Sequence, residues 1–254
     1  MKKKPTMKEG RLKMNFDRVF AGAKYTFRIA SEKSLGEGGN GEVYKVFCDE
    51  IAFPVVAKFF KGNSRSKERR YERFKREVSV LAKLSDIDGL IEILDYNLPD
   101  EVPQEPFGAW YLMPKATKFT VNSKKYLADK LEDMLQLAKI LKDLHSKNYA
   151  HRDIKPENIL YYNGKIILAD FGLVWLDSGD RLTAFDEKVG PYKILPPELE
   201  HVDPGTNMLY MPSDVYLFAK LLWMTLKNDN IGFRGQNNRQ NSQIYIDKNT
   251  NMTE

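Results

Sequence analysis

The sequence predicts an α+β fold, in which antiparallel strands and one helix come first and helices dominate later. Apolar segments flank a glycine-rich turn at 36–41, and a second apolar strand follows at 53–60. Apolar residues at helical spacing then indicate helices at 67–84 and 127–145. A last helix at 213–226 is apolar on nearly every side, which is typical of a helix buried in a core.

The composition describes a soluble globular protein of 254 residues, with 42% hydrophobic and 30% charged residues. Its formal net charge of +5 could attract an anionic partner, but a solvated basic surface is the simpler interpretation. Cys48 is the only cysteine, which excludes an intrachain disulfide and fits a reducing compartment. No apolar run approaches the length of a membrane span, so we expect a cytoplasmic protein without a membrane partner.

One stretch, residues 151–158, carries most of the chemistry and reads His-Arg-Asp-Ile-Lys-Pro-Glu-Asn. It places a carboxylate at Asp153, a cation at Lys155 and an amide at Asn158 on a predicted loop. Phosphoryl transfer needs these groups, because a nucleophile must be positioned, developing charge neutralised and Mg2+ bound by oxygen. A lone His-x-Asp is more often an incidental surface cluster, whereas the whole string argues against chance.

The glycine-rich turn has the pattern G-x-G-x-x-G-x-V, formed by Gly36, Gly38, Gly41 and Val43. Glycines let a backbone approach phosphate groups and offer N–H donors to them. The pattern alone is weak, because a plain hairpin turn explains it as well. The residues after Gly41 favour a strand, which separates this turn from a dinucleotide-binding turn that opens a helix.

A lysine and a glutamate form a candidate pair. Lys58 lies inside an apolar strand, where a lysine either extends to solvent or has a dedicated partner. Glu77 shares the inward side of its predicted helix with Phe74 and Leu81. The simpler alternative is a surface glutamate that pairs with a basic residue of its own helix.

Over roughly residues 30–226, these motifs resemble the catalytic domain of eukaryotic-type (Hanks-type) serine/threonine protein kinases. Asp170-Phe171-Gly172 follows 17 residues after Asp153, and the sequence from Leu195 to Glu198 resembles the end of an activation segment. The resemblance implies a two-lobed protein-kinase-like fold, in which an antiparallel sheet plus one helix precedes a mainly helical lobe. The expected divisions are a flexible basic leader (1–27), an N-lobe (28–114) and a C-lobe (115–254).

The same resemblance implies a role for each site residue. Asp153 would accept the proton of a substrate hydroxyl, and Lys155 would neutralise the γ-phosphoryl group. Asn158 and Asp170 would hold Mg2+. The residues implied to bind ATP are Leu35, Gly36, Gly38, Gly41, Val43, Val56, Lys58, Glu77, Met113 and Leu160.

The activity implied is transfer of the γ-phosphoryl group of ATP to Ser/Thr hydroxyls of protein substrates, including autophosphorylation. Lys155, two residues after Asp153, resembles serine/threonine rather than tyrosine kinases. Two alternatives are a kinase-like small-molecule phosphotransferase and a non-catalytic pseudokinase scaffold. The Arg-Asp-x-Lys-Pro string argues against the first, and the retained Lys58, Asp153 and Asp170 argue against the second. A nucleic-acid partner rests only on the basic leader and is not expected, and the sequence does not predict an oligomeric state.

Three positions depart from the family pattern. Val56 stands where a small alanine usually packs on adenine, so it would tighten that pocket. Pro191 replaces a threonine that hydrogen-bonds the catalytic aspartate and lysine in serine/threonine kinases. Pro196 replaces the alanine of the usual Ala-Pro-Glu ending.

Two further expectations concern regulation and the C-terminus. Arg152 could pair with a phosphorylated activation-segment residue, with Thr183 the first candidate and Ser178 the second. The asparagine-rich residues 228–254 offer too few apolar side chains to cover the helix at 213–226. We therefore expect this segment to be loosely ordered and the C-lobe to be truncated. An apolar patch should be exposed at Leu217, Leu221 and Leu222, and we favour a longer natural chain over a covering partner.

Overall fold

Seven strands form one antiparallel sheet in the first half of the chain. The computed structural model describes residues 18–38, 41–61, 67–121, 124–176, 194, 196 and 210–233. The strands are β1 (Val19–Ala21), β2 (Thr26–Ile29), β3 (Gly36–Gly38), β4 (Gly41–Phe47), β5 (Val55–Phe60), β6 (Asp95–Asn97) and β7 (Trp110–Pro114). Six of them follow the order β1-β2-β4-β5-β7-β6, and β3 pairs with β4 beside this path.

The central strand β5 is buried on both faces, which explains its continuous apolar sequence. Ala57 and Phe59 join an aromatic cluster on one face, and Val56 and Phe60 join the larger core on the other. Side chains alternate along a strand, so Lys58 points to the same side as Val56 and Phe60. The strand therefore directs one lysine into an otherwise apolar core.

One helix, α1 (Lys67–Lys83), packs against the face of the sheet that carries Lys58. Its buried side includes Phe74 and Glu77, as the helical spacing predicted. The Phe74 ring lies 5.5 Å from the Tyr111 ring of β7. Such aromatic pairs add about 0.5–1.5 kcal/mol beyond their buried area, so this contact helps to hold α1 on the sheet.

The second half of the chain contains long helices and two small sheets. The elements are α2 (Leu127–Ser146), α3 (Tyr210–Lys227), β8 (Thr117–Lys118), β9 (Tyr149–Ala150), β10 (Ile159–Tyr162), β11 (Lys165–Leu168) and β12 (Trp175–Leu176). One sheet has the order β11-β10-β8, and β9 pairs with β12. The predicted α+β class is confirmed, while the exact lobe boundaries stay a prediction. In the part of the chain that the structure describes, no helix has the length and apolar character needed to cross a bilayer.

The end of the expected flexible leader is part of the sheet. Residues 18–27 form β1, the following turn and the start of β2. Asp95 of β6 accepts hydrogen bonds from the main-chain N–H groups of Lys24 and Tyr25, both at 2.9 Å, and Phe20 is buried. The expectation of a flexible leader is therefore wrong for residues 18–27, because a buried carboxylate fixes their turn. Residues 1–17 lie outside the described residues.

The segment from Leu90 to Asn97 joins the first sheet only at its end. Only residues 95–97 form β6, and Leu90 makes an isolated bridge to Leu168. The main-chain N–H of Ile91 donates to the Leu168 carbonyl at 3.1 Å, and the N–H of Leu168 donates to the Gly89 carbonyl at 2.8 Å. These bonds attach the segment to β11 rather than to the first sheet.

The position of α3 corrects the expectation of an exposed apolar patch. Leu217 and Leu221 are 0% exposed, and Leu222 is half-buried. The first two belong to the same core cluster as Met134 and Leu137 of α2. The expectation is wrong at Leu217 and Leu221, because α2 packs against them. Periodicity shows that a helix has an apolar face but not which element covers it.

The residues just after α3 are held by specific contacts. Asn228 accepts a hydrogen bond from Lys130 Nζ at 2.6 Å, and the Phe233 ring packs edge-on against Trp223 at 4.8 Å. Residues 228–233 therefore have specific contacts with α2 and α3, and the expectation of loose order for 228–254 stays a prediction. The rest of that segment, 234–254, lies outside the described residues.

Lys220 of α3 should make stability depend on alkaline pH. The side chain is buried, and its Nζ donates a hydrogen bond of 3.2 Å to the Phe233 carbonyl and lies 3.3 Å from the centroid of the Phe233 ring. Burial lowers the pKa of Lys220 from 10.5 to about 8. Between about pH 8 and 10.5 the unfolded state therefore binds more protons than the folded state. The unfavourable contribution of Lys220 to the free energy of unfolding diminishes as pH rises from about 8 to 10.5.

We expect the Lys220→Met variant to have a higher Tm than the parent protein at pH 7, with the difference shrinking toward pH 10. Thermal unfolding across this range measures the effect. Lys142→Met, which removes an exposed lysine from α2, serves as the control. A Tm difference that stays constant across the range would contradict the prediction.

Candidate active site

A buried aspartate of α3 fixes the backbone of the loop at residues 151–158. Asp214 accepts hydrogen bonds from the main-chain N–H groups of His151 and Arg152, both at 2.7 Å, and is 0% exposed. Arg152 has a φ of 68°, in the left-handed region that non-glycine residues rarely adopt. The two hydrogen bonds therefore stabilise a strained backbone next to the candidate base.

Asp153 lies at the centre of a polar cluster. Its Oδ2 accepts hydrogen bonds from Lys155 Nζ at 2.6 Å and Asn158 Nδ2 at 2.8 Å. Asn158 Nδ2 also donates to the Asp153 carbonyl at 2.8 Å, which closes the loop on itself. Asp153 Oδ1 is buried and has no hydrogen-bond partner among the described residues. Such an oxygen is costly to leave unpaired, so it is the natural acceptor for a substrate hydroxyl.

Asp170 follows β11 and has a φ of 64°, a second left-handed residue at this site. Its Oδ1 lies 3.8 Å from Lys58 Nζ. The positive charge of Lys58 lowers the pKa of Asp170, and Lys155 acts in the same direction. Asp170 therefore remains ionised at neutral pH, as a ligand for a cation must.

Lys58 and Glu77 make the ion pair that their sequence positions suggested. Lys58 Nζ lies 2.8 Å from both carboxylate oxygens of Glu77, and both side chains are buried. Burial alone would lower the pKa of Lys58, but Glu77 and Asp170 together raise it well above its usual value. The lysine is therefore a fixed positive charge between β5, α1 and Asp170.

The surroundings of the three glycines in the β3–β4 hairpin differ, so glycine is needed at these positions for different reasons. A Cβ on Gly41 would lie 2.4 Å from the Phe59 carbonyl oxygen, so the approach of β5 requires a glycine there. A Cβ on Gly36 would meet nothing within 4 Å, and one on Gly38 would only reach the Gly41 carbonyl at 4.0 Å. Packing thus explains Gly41, whereas open space at Gly36 and Gly38 leaves room for a ligand.

Four of the five apolar residues implied to bind ATP belong to the main core cluster. Val43, Val56, Met113 and Leu160 all pack in the main core cluster, and Val56 lies opposite Met113 across β5 and β7. Leu35 is 44% exposed and lies outside this cluster. Its main-chain N–H donates to the Val43 carbonyl at 2.8 Å, which fixes the start of the hairpin.

Asn158 and Asp170 offer oxygen ligands that suit a hard divalent cation. Asn158 uses its Nδ2 for Asp153, which leaves its amide oxygen as the atom available to a cation. Across the residues described, no group of three or more His, Cys, Asp or Glu side chains could hold a metal by itself. A metal here would therefore share these two ligands with phosphate oxygens and water, as Mg2+ does in nucleotide sites.

The regulatory prediction at Arg152 is not tested by this geometry. The Arg152 guanidinium lies 4.2 Å from the centroid of the Tyr210 ring and 5.9 Å from that of Trp175. Thr183 and Ser178 lie outside the described residues. The same holds for Pro191 and Glu198, so their expected roles remain predictions.

Sequence reasoning missed Tyr111. Its hydroxyl donates a hydrogen bond of 2.8 Å to Glu77 Oε1 within the buried ion pair. Tyr111 lies directly opposite Lys58 in the pairing of β7 with β5. The only signal was a tyrosine inside an apolar strand, and its meaning depends on a strand register that the sequence does not contain.

The comparisons with known proteins agree with this fold. A model of the protein kinase domain family matches residues 29–254, and the chain belongs to that family. Membership implies ATP as a substrate and a divalent metal.

Several named relatives are serine/threonine-protein kinases. A probable serine/threonine-protein kinase of Clostridium perfringens is 30% identical over 142 residues, which cover 55% of this chain and 20% of the relative. Another, of Clostridium acetobutylicum, is 28% identical over 199 residues, covering 77% of this chain and 29% of the relative. PknH of Mycobacterium tuberculosis is 28% identical over 196 residues, covering 75% and 30%. The chain thus spans less than a third of the length of these relatives.

Proposed function

We propose that this protein transfers the γ-phosphoryl group of ATP to serine or threonine hydroxyls of protein substrates. The observation that carries the proposal is the polar cluster around Asp153. One carboxylate oxygen is held by Lys155 and Asn158, and the other is buried without a partner among the described residues. A base held in this way can orient a hydroxyl and accept its proton during attack on a phosphoryl group.

Each neighbouring residue then has a defined part. Lys155 balances charge that develops on the transferred phosphoryl group, and Lys58 binds the α- and β-phosphates while Glu77 holds it in place. Asn158 and Asp170 would hold Mg2+, which supplies further positive charge to the phosphate oxygens. Binding, orientation and charge neutralisation are the main requirements of phosphoryl transfer, and the site provides all three.

The sequence motif and the relatives favour protein hydroxyl groups as acceptors of the phosphoryl group. Lys155 follows Asp153 by two residues, and several relatives carry serine/threonine-protein kinase in their names. A pseudokinase is not favoured, because Lys58, Asp153 and Asp170 have contacts suited to catalysis. The Arg-Asp-x-Lys-Pro string argues against a small-molecule phosphotransferase. Autophosphorylation, a cytoplasmic location and the lobe boundaries near residue 114 belong to the same proposal.

Incubation with ATP labelled at the γ-phosphate and a generic protein substrate tests this function. We expect label on the protein with Mg2+ and none after chelation of the metal. Parallel reactions with small-molecule hydroxyl acceptors separate the two phosphotransferase classes. Label on the small molecules alone would overturn the choice of protein substrates, and absence of any metal-dependent transfer would overturn the activity itself.

A further inference from the structure

A third side chain takes part in the Lys58–Glu77 ion pair. The Tyr111 hydroxyl donates a hydrogen bond of 2.8 Å to Glu77 Oε1, the same oxygen that accepts one of the Lys58 contacts. Tyr111 is 2% exposed and Glu77 is 0% exposed, so water does not replace this donor.

We propose that Tyr111 is a positioning residue, which holds the Glu77 carboxylate so that Lys58 is placed to bind the phosphates of ATP. The inference rests on the proposed function for the meaning of Lys58. In this role the Tyr111 hydroxyl, and not only its aromatic ring, sets the position of Glu77.

The location of Tyr111 suits this role, because it connects the sheet to the helix at two points. Its hydroxyl contacts Glu77 and its ring lies 5.5 Å from the Phe74 ring, one turn earlier on α1. Tyr111 also lies opposite Lys58 in the strand register. The position of α1 relative to β5 therefore depends on a residue of β7.

The same strand reaches the predicted adenine pocket. Met113 lies two residues after Tyr111, so the two side chains share one face of β7. Both belong to the core cluster that contains Val56. Tyr111 thus shares one face of β7 with Met113, a residue implied to bind ATP, and contacts α1 from that face.

The electrostatics require a donor at this position. Lys58 faces Glu77 at 2.8 Å and Asp170 at 3.8 Å, so two carboxylates share one ammonium group. A buried carboxylate needs all of its hydrogen bonds, since water cannot supply them. Burial and the adjacent Glu77 raise the pKa of Tyr111 well above its usual value, so the hydroxyl keeps its proton.

The Tyr111→Phe variant tests the hydroxyl while keeping the ring. A hydrogen bond to a charged group contributes enough that its loss should reduce kcat/KM for ATP by about tenfold or more. KM for the protein substrate should not change. Tyr71→Phe is the matched control, because Tyr71 is a buried tyrosine whose hydroxyl donates to the Pro99 carbonyl and not to Glu77. It should lower Tm without changing the kinetics of ATP.

A double-mutant cycle distinguishes positioning from packing. In the Glu77→Gln background, Tyr111→Phe should have less than about a twofold further effect on kcat/KM for ATP, because its partner is already altered. Tyr111→Met, which also lacks the hydroxyl, repeats the test with a different side chain. Equal losses in both backgrounds, or wild-type ATP kinetics in Tyr111→Phe, would overturn the inference.

The outcome can be separated from that of the proposed function. Equilibrium titration with Mg-ATP measures nucleotide affinity whether or not phosphoryl transfer occurs. Weaker ATP binding in Tyr111→Phe but not in Tyr71→Phe supports the positioning role even if the wild-type protein transfers no phosphate. Unchanged affinity and unchanged turnover in Tyr111→Phe would overturn the role while an active wild-type protein keeps the function.

Discussion

The Asp153→Asn variant is expected to lose phosphoryl transfer by about 100- to 10,000-fold, which is the usual contribution of a positioned proton acceptor. Asparagine has nearly the same shape and can still accept hydrogen bonds from Lys155 and Asn158 through its amide oxygen. Its amide nitrogen would then occupy the position of Oδ1, the oxygen without a partner among the described residues. The acceptor for the substrate proton is removed while the loop is retained.

Steady-state kinetics, Mg-ATP titration and thermal unfolding together check this result. ATP affinity and Tm should remain close to those of the parent protein. Asp133→Asn is a suitable control, because Asp133 is another buried aspartate with a lysine partner, Lys125 at 2.7 Å. That change should lower Tm without the loss of transfer. Undiminished turnover in Asp153→Asn would show that Asp153 is not the base.

The Lys58→Met variant should affect both activity and stability. Loss of a preorganised charge at the phosphates should reduce kcat/KM for ATP by about 100- to 1,000-fold. The same change leaves Glu77 buried without its cation, and breaking a buried ion pair costs about 3–5 kcal/mol of unfolding free energy. The functional loss and the structural loss can be separated by altering the partner.

The double variant Lys58→Met, Glu77→Gln should recover much of the stability and none of the activity. Replacement of the glutamate removes the buried charge, whereas the phosphate ligand is still absent. Activity assays and thermal unfolding of the two variants provide the comparison. Recovery of transfer in the double variant would contradict the role of Lys58.

The pH dependence of the single Lys58→Met variant gives an additional check. Burial raises the pKa of Glu77 and Lys58 opposes this increase, so removal of Lys58 should raise the pKa further. A carboxyl group whose pKa is higher in the folded than in the unfolded state stabilises the fold while it is protonated. This contribution to stability is lost as pH rises through the folded-state pKa. The Tm difference between Lys58→Met and the parent should therefore shrink as pH falls from 7 toward 5. A difference that grows over this range would contradict the interpretation.

Local sequence patterns identify most of the residues that the structure brings together at the candidate site, because these residues lie in short motifs. Asp153, Lys155 and Asn158 occur within six residues, and a tight loop brings them into contact with little help from distant elements. Lys58 and Glu77 could also be identified from the sequence, since Lys58 interrupts an apolar strand and Glu77 shares an apolar helix face. Their contact at 2.8 Å follows once the helix packs on the sheet.

Features that depend on pairing between distant elements were missed or wrong. Tyr111 matters because β7 lies beside β5 in one register, and no local pattern fixes that register. Leu217 and Leu221 were expected to be exposed because periodicity shows that a helix is apolar without showing what covers it. The packing reason for Gly41 was missed, since the close approach of the Phe59 carbonyl depends on the pairing of β4 with β5.

Mapping of phosphorylated residues tests the central claim most directly. The protein is incubated with Mg-ATP and a generic protein substrate, beside the Asp153→Asn variant, and both polypeptides are analysed by mass spectrometry. We expect phosphoserine or phosphothreonine in the wild-type reaction and almost none with the variant. Phosphate confined to tyrosine, equal phosphorylation by the variant, or no phosphorylated residue in either polypeptide would contradict a serine/threonine kinase that uses Asp153 as its base.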